Sequence, residues 1–255
     1  MKSMKKILFS IIMLTLVFGA ILSSSAFAAG NEVKLLDSTI TKGSYGFVGF
    51  RGDIEVENLG PTKTVQVHYT TDNVNWYNTY ASYVGPTGST HEKWSFSIST
   101  NAFTTDHAEL KGMSFIKFAL RYDVNGSTYW DNNGSLDYYN TFPFAGTIST
   151  ILGKPNVLNS FGYATSGGSF YGKINVKNLA PTKVVKVLYT TNNWATTQTG
   201  YATFGAFINY ANEVEYWDFN FSVSGTSVKY KIEYTVGGST YIDDNYGYNY
   251  TATVI

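Results

Sequence analysis

A tryptophan that runs directly into a polar turn is the feature of this sequence with the clearest chemical use. A run of strand-forming residues ends at Trp130, and the turn that follows reads Asp131-Asn132-Asn133. Asp and Asn favour turns because their side chains hydrogen-bond the nearby backbone and tolerate a left-handed conformation. An indole at such a strand end, beside amide groups, offers an apolar face with a hydrogen-bonding rim. A sugar ring has matching surfaces, so we expect Trp130, Asn132 and Asn133 to bind carbohydrate.

Other aromatic residues are further candidates for the same role. Trp76 and Trp194 each follow a cluster of polar turn residues. A tryptophan in such a loop either folds back over the core or stays exposed for binding, and the sequence leaves both open. Tyr83 and Phe204 are expected in loops of uneven length, where the same two roles are open.

A second group of aromatic residues fits core packing better. Trp94 and Trp217 alternate with phenylalanine at the spacing of a strand with one buried face. The same role is expected for four tyrosines, Tyr69, Tyr122, Tyr189 and Tyr234.

The carboxylates and histidines do not form a convincing catalytic or metal-binding set. Glycoside hydrolysis needs an acid and a nucleophile or base that flank one bond. Asp131 is expected to form a turn, and Glu92 lies beside a core tryptophan, where it is expected to hydrogen-bond solvent or a ligand. The histidines lack metal-ligand spacing. We therefore expect no enzyme activity, no cofactor and no metal.

An internal repeat organises the chain. Gly52–Thr71 aligns without a gap on Gly172–Thr191, and 13 of the 20 positions are identical. Ile54 and Val56 recur in the second copy, whereas the residues between them change. Conserved alternate positions with drifting neighbours indicate strands with one buried face.

Short strands separated by turn clusters predict an all-β fold. We expect two immunoglobulin-like antiparallel β-sandwich domains in tandem, with about eight strands each. The predicted domains are residues 31–142 and 153–255. The linker near 146–154 carries apolar residues, so the domains should touch. Because the sequence has no cysteine, this fold would be stabilised by packing without disulfide bonds.

The first 28 residues are typical of a cleaved signal peptide. Three lysines precede an apolar run from Ile7 to about Leu22, and Ala26-Phe27-Ala28 supplies a small-x-small cleavage site. A retained membrane anchor is the alternative, although the apolar run is shorter than the roughly 20 residues that a span needs. The sequence therefore predicts a secreted, extracellular protein and leaves attachment to the cell surface open.

Charge and composition restrict the partners. Removal of the three signal lysines changes 18 basic and 18 acidic residues to 15 and 18, a net charge of −3. A mildly acidic surface argues against nucleic acid or an anionic membrane as the partner. The chain has 21 Tyr, 17 Phe and 5 Trp, more aromatic surface than two small cores need. This surplus favours a ligand with apolar faces.

The combined pattern resembles carbohydrate-binding module family 21. Both copies carry Gly-x-Ile-x-Val-x-Asn-Leu-x-x-x-Lys-x-Val-x-Val-x-Tyr, then a loop Trp and Trp-x-Phe, and the first ends in Tyr-Trp-Asp-Asn-Asn. The second copy, Val157 to Tyr250, is similar to the fungal glucoamylase version along its length. The resemblance implies non-catalytic sandwiches that bind α-1,4-glucan at two aromatic sites. One site would comprise Trp76, Trp130 and Asn132, and in the second copy Trp194, Asn245 and Asn249.

The resemblance also implies a second site, and it marks departures from the family pattern. Residues that fit the second site are Lys63, Lys183, Tyr83, Glu92 and Glu215. Pro61 and Pro181 occupy an aromatic position of that site, so it is expected to be remodelled or lost. In the second copy Ile242 replaces the stacking aromatic and Asp244 the asparagine, which weakens the first site there.

The expected function is therefore the binding of starch, glycogen or a related α-glucan by tandem non-catalytic modules, with a partner hydrolase as a further candidate partner. One alternative is a cell-surface structural or protein-interaction protein whose sugar sites have degenerated. Another is a small polysaccharide-active enzyme that uses Asp131 or Glu92.

Overall fold

The structure is a computed structural model that describes residues 27–28, 30–142, 146–209, 211, 213–225 and 227–253. Residues 1–26, most of the predicted signal peptide, lie outside this range, so cleavage after Ala28 stays a prediction. Within the described residues, no helix has the length and apolar character needed to cross a membrane.

The first half consists of strands joined by turns and two short 3-10 turns, Ser44–Gly46 and Ala108–Leu110. Its strands are β1 (Phe27–Ala28), β2 (Val33–Lys42), β3 (Val48–Glu57), β4 (Lys63–Thr70), β5 (Tyr77–Tyr80), β6 (Ser82–Thr87), β7 (His91–Thr100), β8 (Phe115–Val124), β9 (Ser127–Asp131) and β10 (Tyr138–Thr141).

The linker and the second half continue the same pattern. The strands are β11 (Ile148–Leu152), β12 (Val157–Ala164), β13 (Ser169–Lys177), β14 (Lys183–Thr190), β15 (Gln198–Tyr201), β16 (Thr203–Phe207), β17 (Val214–Ser222), β18 (Ser227–Val236), β19 (Ser239–Asp243) and β20 (Tyr250–Thr253).

Each half is built from two sheets. In the first half, sheet A has the order β1-β9-β8-β4-β5 with β10 also on β8, and sheet B has the order β11-β2-β3-β7-β6. In the second half, sheet C is β12-β13-β17-β16, and sheet D is β15-β14-β18-β19 with β20 also on β18. The described pairings are antiparallel apart from β1, which runs parallel to β9. The predicted all-β fold with two tandem sandwiches is confirmed; its immunoglobulin-like strand arrangement stays a prediction.

The alternation seen in the repeat places one face of each strand in a core. Ile54 and Val56 are fully buried in the first half, as are their equivalents Ile174 and Val176 in the second. The four predicted core tyrosines are also buried, and two of them make equivalent bonds: the hydroxyl of Tyr122 donates to the carbonyl of Glu57 and that of Tyr234 to Lys177, at 2.7 and 2.6 Å. The predicted core faces are therefore correct.

The two halves are in contact through the linker strand. β11 pairs with β2 at the edge of sheet B, and the N–H of Thr150 donates to the carbonyl of Ile208, 2.9 Å away in the second half. Lys154, just after β11, pairs with the nearly buried Glu55 of the first half. The predicted domain limits stay a prediction, and β11 lies between the two predicted domains.

The expected position of two aromatic residues is wrong. Tyr83 and Phe204 lie in strands β6 and β16, not in loops. Each of these strands is the last in its sheet and pairs with one neighbour through a bulge. Among the described residues, β2–β10 and β12–β20 give nine strands in each half, close to the expected number of about eight. β1 and β11 add one strand each to the two sheets of the first half.

Candidate functional site

The outer face of sheet A carries a cluster of rings that includes both predicted tryptophans of the first half. The imidazole of His68 lies flat against the indole of Trp76, with centroids 4.7 Å apart and planes 12° apart. The Trp130 ring meets His68 edge-on, at 6.0 Å and 78°. Trp76 is 38% exposed and Trp130 is half-buried. We call Trp76, His68 and Trp130 the indole cluster.

Strand register places the indole cluster. His68 on β4 stands opposite Asn78 on β5, and its Nδ1 is 2.8 Å from the Asn78 Oδ1 atom. Trp130 on β9 stands opposite Arg121 on β8, whose guanidinium carbon lies 5.8 Å from the indole centroid. The cluster therefore combines exposed ring faces with amide, imidazole and guanidinium groups, which suits a ligand that is apolar on its faces and hydroxylated at its rim.

A hydrogen-bonded loop holds Trp76 at the edge of the sheet. The carboxylate of Asp72 accepts the N–H groups of Val74 and Asn75, both at 2.8 Å, and the Asn75 side-chain amide at 2.8 Å. These bonds stabilise the charged form and lower the pKa of Asp72 to about 2. The loop is thus fixed immediately before Trp76.

The turn after Trp130 is fixed by its own polar side chains. Asp131 is buried, and its Oδ2 accepts the N–H of Leu35 at 2.9 Å and the hydroxyl of Tyr138 at 2.8 Å. Asn132 Oδ1 accepts the N–H of Ser135 at 3.0 Å, and the Asn133 side chain donates to a backbone carbonyl further along the turn. Asp131 therefore ties β9 to β2, and its carboxylate is bonded inside the protein.

The second half repeats the strands of this site but lacks two of its three rings. Leu188 stands where the first half has His68, and Ile242, opposite Glu233, stands where it has Trp130 opposite Arg121. Trp194 is half-buried, and its backbone N–H donates to Thr190 Oγ1 at 3.0 Å.

The two predicted asparagines of the second half lie in its turn. Asn245 donates to the Asn249 carbonyl at 3.2 Å, and the N–H of Asn249 donates to the Asp244 carbonyl at 2.7 Å. Asn245 lines the space between the two halves. The two asparagines therefore bond within their own turn, and their binding of a ligand together with Trp194 stays a prediction.

The residues predicted for the second site form a compact network. Lys63 Nζ is 2.8 Å from Glu92 Oε2 and donates to Asn58 Oδ1 at 2.6 Å. The indole N–H of Trp94 donates to the same Glu92 oxygen at 3.2 Å. The side chains of Lys63 and Glu92 are only 6% and 13% exposed, so most of their charge is satisfied within the protein.

The same network recurs in the second half. Lys183 Nζ bonds Glu215 at 2.7 Å and Asn178 at 2.5 Å, and Trp217 donates to Glu215 at 2.9 Å. A buried ion pair with further hydrogen bonds holds its two side chains in one arrangement. The main role of each lysine–glutamate pair is therefore to attach β4 or β14 to the opposite sheet.

An exposed ring stands next to the network in each half. The Tyr83 ring meets Trp94 edge-on at 5.9 Å, and Phe204 meets Trp217 in the same way at 6.2 Å. In the first half, Tyr83 and the network line a cavity of about 620 Å³ that also contains Pro61.

Sequence reasoning missed His68 and Arg121 as parts of the site. His68 has no histidine counterpart in the repeat, where Leu188 takes its place. The sequence signal that could have found His68 is its position on the outward face of β4, where residues differ between the two copies, close to a loop tryptophan. Within the described residues, no group of three or more His, Asp or Glu side chains could hold a metal ion.

Comparison with known proteins gives a consistent result across both halves. The sequence model of the family described as "Carbohydrate/starch-binding module (family 21)" matches residues 28–140 and 152–253. Glucoamylase 1 of Rhizopus oryzae is 35% identical over 130 residues, which cover 49% of this chain and 19% of the glucoamylase. Protein phosphatase 1 regulatory subunit 3B of Homo sapiens is 33% identical over 90 residues, 34% of this chain and 30% of the subunit.

The chain thus spans less than a third of the length of these curated relatives. Among solved structures, the starch-binding domain of Rhizopus oryzae glucoamylase, in complex with β-cyclodextrin and maltoheptaose, is 34% identical. The match covers 39% of this chain and 94% of that domain, with a TM-score of 0.34.

Proposed function

The chain belongs to the carbohydrate/starch-binding module family 21, and on that basis we propose that it is an exported, non-catalytic protein that binds α-1,4-glucan through aromatic residues. The proposed ligand is starch, glycogen or a related polymer, and a partner hydrolase acting on the same polymer is part of the proposal. The observation that supports this most strongly is the indole cluster on sheet A.

The indole cluster has the physical properties that a glucan site needs. A glucose ring stacks through its C–H face on an indole, and its hydroxyls hydrogen-bond groups such as the Asn78 and Asn132 amides. One stacked ring contributes roughly 1–2 kcal/mol, by analogy with aromatic pairs and cation–π contacts. A single such site is therefore weak, and a polymer that reaches several sites on one chain gains avidity of ~10²–10⁴.

The carboxylates support a binding role rather than hydrolysis. Asp131 is buried and bonded to Leu35 and Tyr138, and Glu92 is held by Lys63 and Trp94. Both carboxylates are thus engaged in bonds within the protein, whereas glycoside hydrolysis needs an acid and a nucleophile or base that flank one bond of the sugar.

A protein-interaction role is the competing proposal. The second half, with Ile242 exposed where Trp130 stands in the first, favours that reading for its sheet D. In that case the exposed aromatics would contact a protein partner instead of glucan.

The proposal is tested by native electrophoresis in gels that contain soluble starch, glycogen or hydroxyethyl cellulose. We expect retardation by the two α-glucans and none by the β-linked polymer. Retardation by none of the three would overturn α-glucan binding and favour the protein-interaction role. Release of reducing sugar from starch, abolished in an Asp131→Asn or Glu92→Gln variant, would overturn the non-catalytic assignment.

A further inference from the structure

Sheet C of the second half corresponds to sheet B of the first half, but the outer faces of the two sheets carry different residues. The shared fold does not require this difference. In sheet C, Phe161 and Tyr163 on β12 and Tyr171 on β13 point away from the core side. The positions with the same register in sheet B carry Asp37, Thr39 and Arg51. A sandwich of this type is therefore stable with polar residues on this face, and the aromatic residues of the second half need another explanation.

These three residues form a continuous aromatic row. The rings of Phe161 and Tyr163 are 5.4 Å apart, and those of Tyr163 and Tyr171 are 6.1 Å apart. Tyr163 and Tyr171 are 52% and 37% exposed. Contiguous exposed aromatic surface on one face of a sheet is a mark of ligand binding rather than of core packing.

The aromatic row leads into a cleft between the two halves. This interdomain cleft, a cavity of about 1450 Å³, contains Phe161 and Lys173 on the side of sheet C. On the side of sheet B it contains Arg51, Asp53 and Lys93. One wall is thus partly aromatic, and the opposite wall is rich in hydrogen-bonding groups.

An unsatisfied polar atom lies on the same wall. Asn175 is 7% exposed and lines the interdomain cleft, and its Oδ1 is buried without a hydrogen-bond partner among the described residues. A buried amide oxygen without a partner is unfavourable, so it is expected to receive a donor from a ligand or a bound water. A hydroxyl group is such a donor.

The charges of the cleft indicate an uncharged ligand. It is lined by five acidic and four basic side chains, Asp37, Asp53, Glu55, Asp243 and Asp244 against Arg51, Lys93, Lys154 and Lys173. Several of these are already paired, as Lys93 is with Asp53 at 2.5 Å and Lys154 with Glu55. A polyanion or polycation would meet repulsion from half of these groups, whereas a neutral polyol can hydrogen-bond both kinds.

We propose that the aromatic row and the interdomain cleft form an additional carbohydrate-binding site, which holds a segment of neutral α-glucan between the two halves. Sugar rings stack on Tyr163, Tyr171 and Phe161, and hydroxyls bond Asn175, Lys173 and the polar wall of sheet B. The identity of the ligand rests on the proposed function. The site itself does not use the indole cluster.

The site also gives the tandem arrangement a purpose beyond avidity. Its walls come from different halves, and β11 with the Thr150–Ile208 hydrogen bond holds them together. Neither half alone would contain it.

Isothermal titration of the full chain with maltoheptaose separates the two sites. The variants are Trp76→Ala/Trp130→Ala for the indole cluster and Tyr163→Ala/Tyr171→Ala for the aromatic row. Tyr139→Ala is a matched control, because Tyr139 is a comparably exposed tyrosine on β10, outside the cleft. We expect each double variant to lose one class of site, with affinity there falling at least tenfold for two lost stacking rings, and the control to bind like wild type.

A second measurement locates the ligand without relying on the row variants. In the Trp76→Ala/Trp130→Ala protein, maltoheptaose should slow backbone hydrogen exchange in 157–175 and in 51–55. Loss of all maltoheptaose binding in that protein, with no such protection, would overturn the additional site and leave the proposed function standing. Wild-type protein that binds no maltoheptaose would overturn both.

Discussion

His68 lies parallel to Trp76, with ring centroids 4.7 Å apart and planes 12° apart. The imidazole covers one face of the indole and leaves the other available, so the Trp76 ring is held in place by His68 as well as by its hydrogen-bonded loop. The second half has leucine at the corresponding position, and its loop tryptophan has no ring contact among the described residues. This difference makes the first half the better candidate for glucan binding.

Replacement of His68 by alanine should therefore weaken glucan binding without unfolding the protein. The Trp76 ring would lose its stacking support and gain freedom that binding must then restrict, so we expect about a three- to tenfold higher Kd for maltoheptaose. Titration calorimetry measures this. His91→Ala, an imidazole outside the indole cluster, is the control. Equal affinity of His68→Ala and wild type would show that the stacked imidazole does not support the site.

Restoring the missing ring in the second half should create a site. Ile242 is 54% exposed and occupies the register position of Trp130. We expect Ile242→Trp with Leu188→His to tighten binding at the second half by about five- to thirtyfold, the equivalent of ~1–2 kcal/mol for one stacked ring. The measurement is maltoheptaose titration in the Trp76→Ala/Trp130→Ala background, with Ile242→Leu as the matched control. No gain over that control would mean that Trp194 is not placed to share a ligand with residue 242.

Asp131 should matter for stability and not for chemistry. Its carboxylate accepts the N–H of Leu35 and the hydroxyl of Tyr138 in a buried setting, so Asp131→Ala leaves two buried donors without a partner. We expect a loss of about 2–4 kcal/mol in the free energy of unfolding, measured by urea denaturation of the first half's transition. Asp106→Ala at an exposed position should change it by less than ~0.5 kcal/mol. A neutral effect of Asp131→Ala would contradict the structural role.

Asp37 should make the protein less stable as the pH rises. Burial and the nearby Asp53 carboxylate raise the pKa of Asp37 from 3.8 to about 6, although Lys93 and Arg51 act in the opposite direction. Below the pKa of Asp37 in the unfolded chain, its carboxyl group is neutral in both the folded and the unfolded state. Between pH 4 and 6 the unfolded state ionises first, so stability falls with rising pH, by at most ~3 kcal/mol.

The test compares Asp37→Asn with wild type by urea denaturation at pH 4 and pH 7. In the wild type the N–H of Asp53 donates to Asp37 Oδ1 at 3.2 Å, and the asparagine of the variant keeps an oxygen that can accept this bond. We expect it to be more stable than wild type at pH 7 and about equal at pH 4. Asp218→Asn, on an exposed side chain, serves as the control. A difference that does not change with pH would contradict the shifted pKa.

The fold could be predicted because burial leaves a regular trace in a duplicated sequence. Ile54 and Val56 recur because each strand buries every second side chain, and this pattern gave the strand faces, the two cores and the turn after Trp130. Strand positions without that constraint were less predictable. Tyr83 and Phe204 lie on edge strands that pair on one side only, so their sequences lack the alternation that marks a central strand.

The candidate sites were only partly predictable for the same reason. Trp76 and Trp130 could be named from their neighbours in sequence. Their link through His68 depends on strand register, which places β4 between β5 and β8. The aromatic row was missed because Phe161 and Tyr163 resemble ordinary strand residues until a sheet places Tyr171 beside them.

The central claim is that the first half binds α-glucan at the indole cluster. Native electrophoresis in soluble starch, with wild type, Trp130→Ala and Ile242→Ala, tests it most directly, because the two variants change equivalent positions in the two halves. We predict strong retardation of wild type and of Ile242→Ala, with clearly weaker retardation of Trp130→Ala. Equal retardation of all three proteins would contradict the claim by placing the principal site away from Trp130.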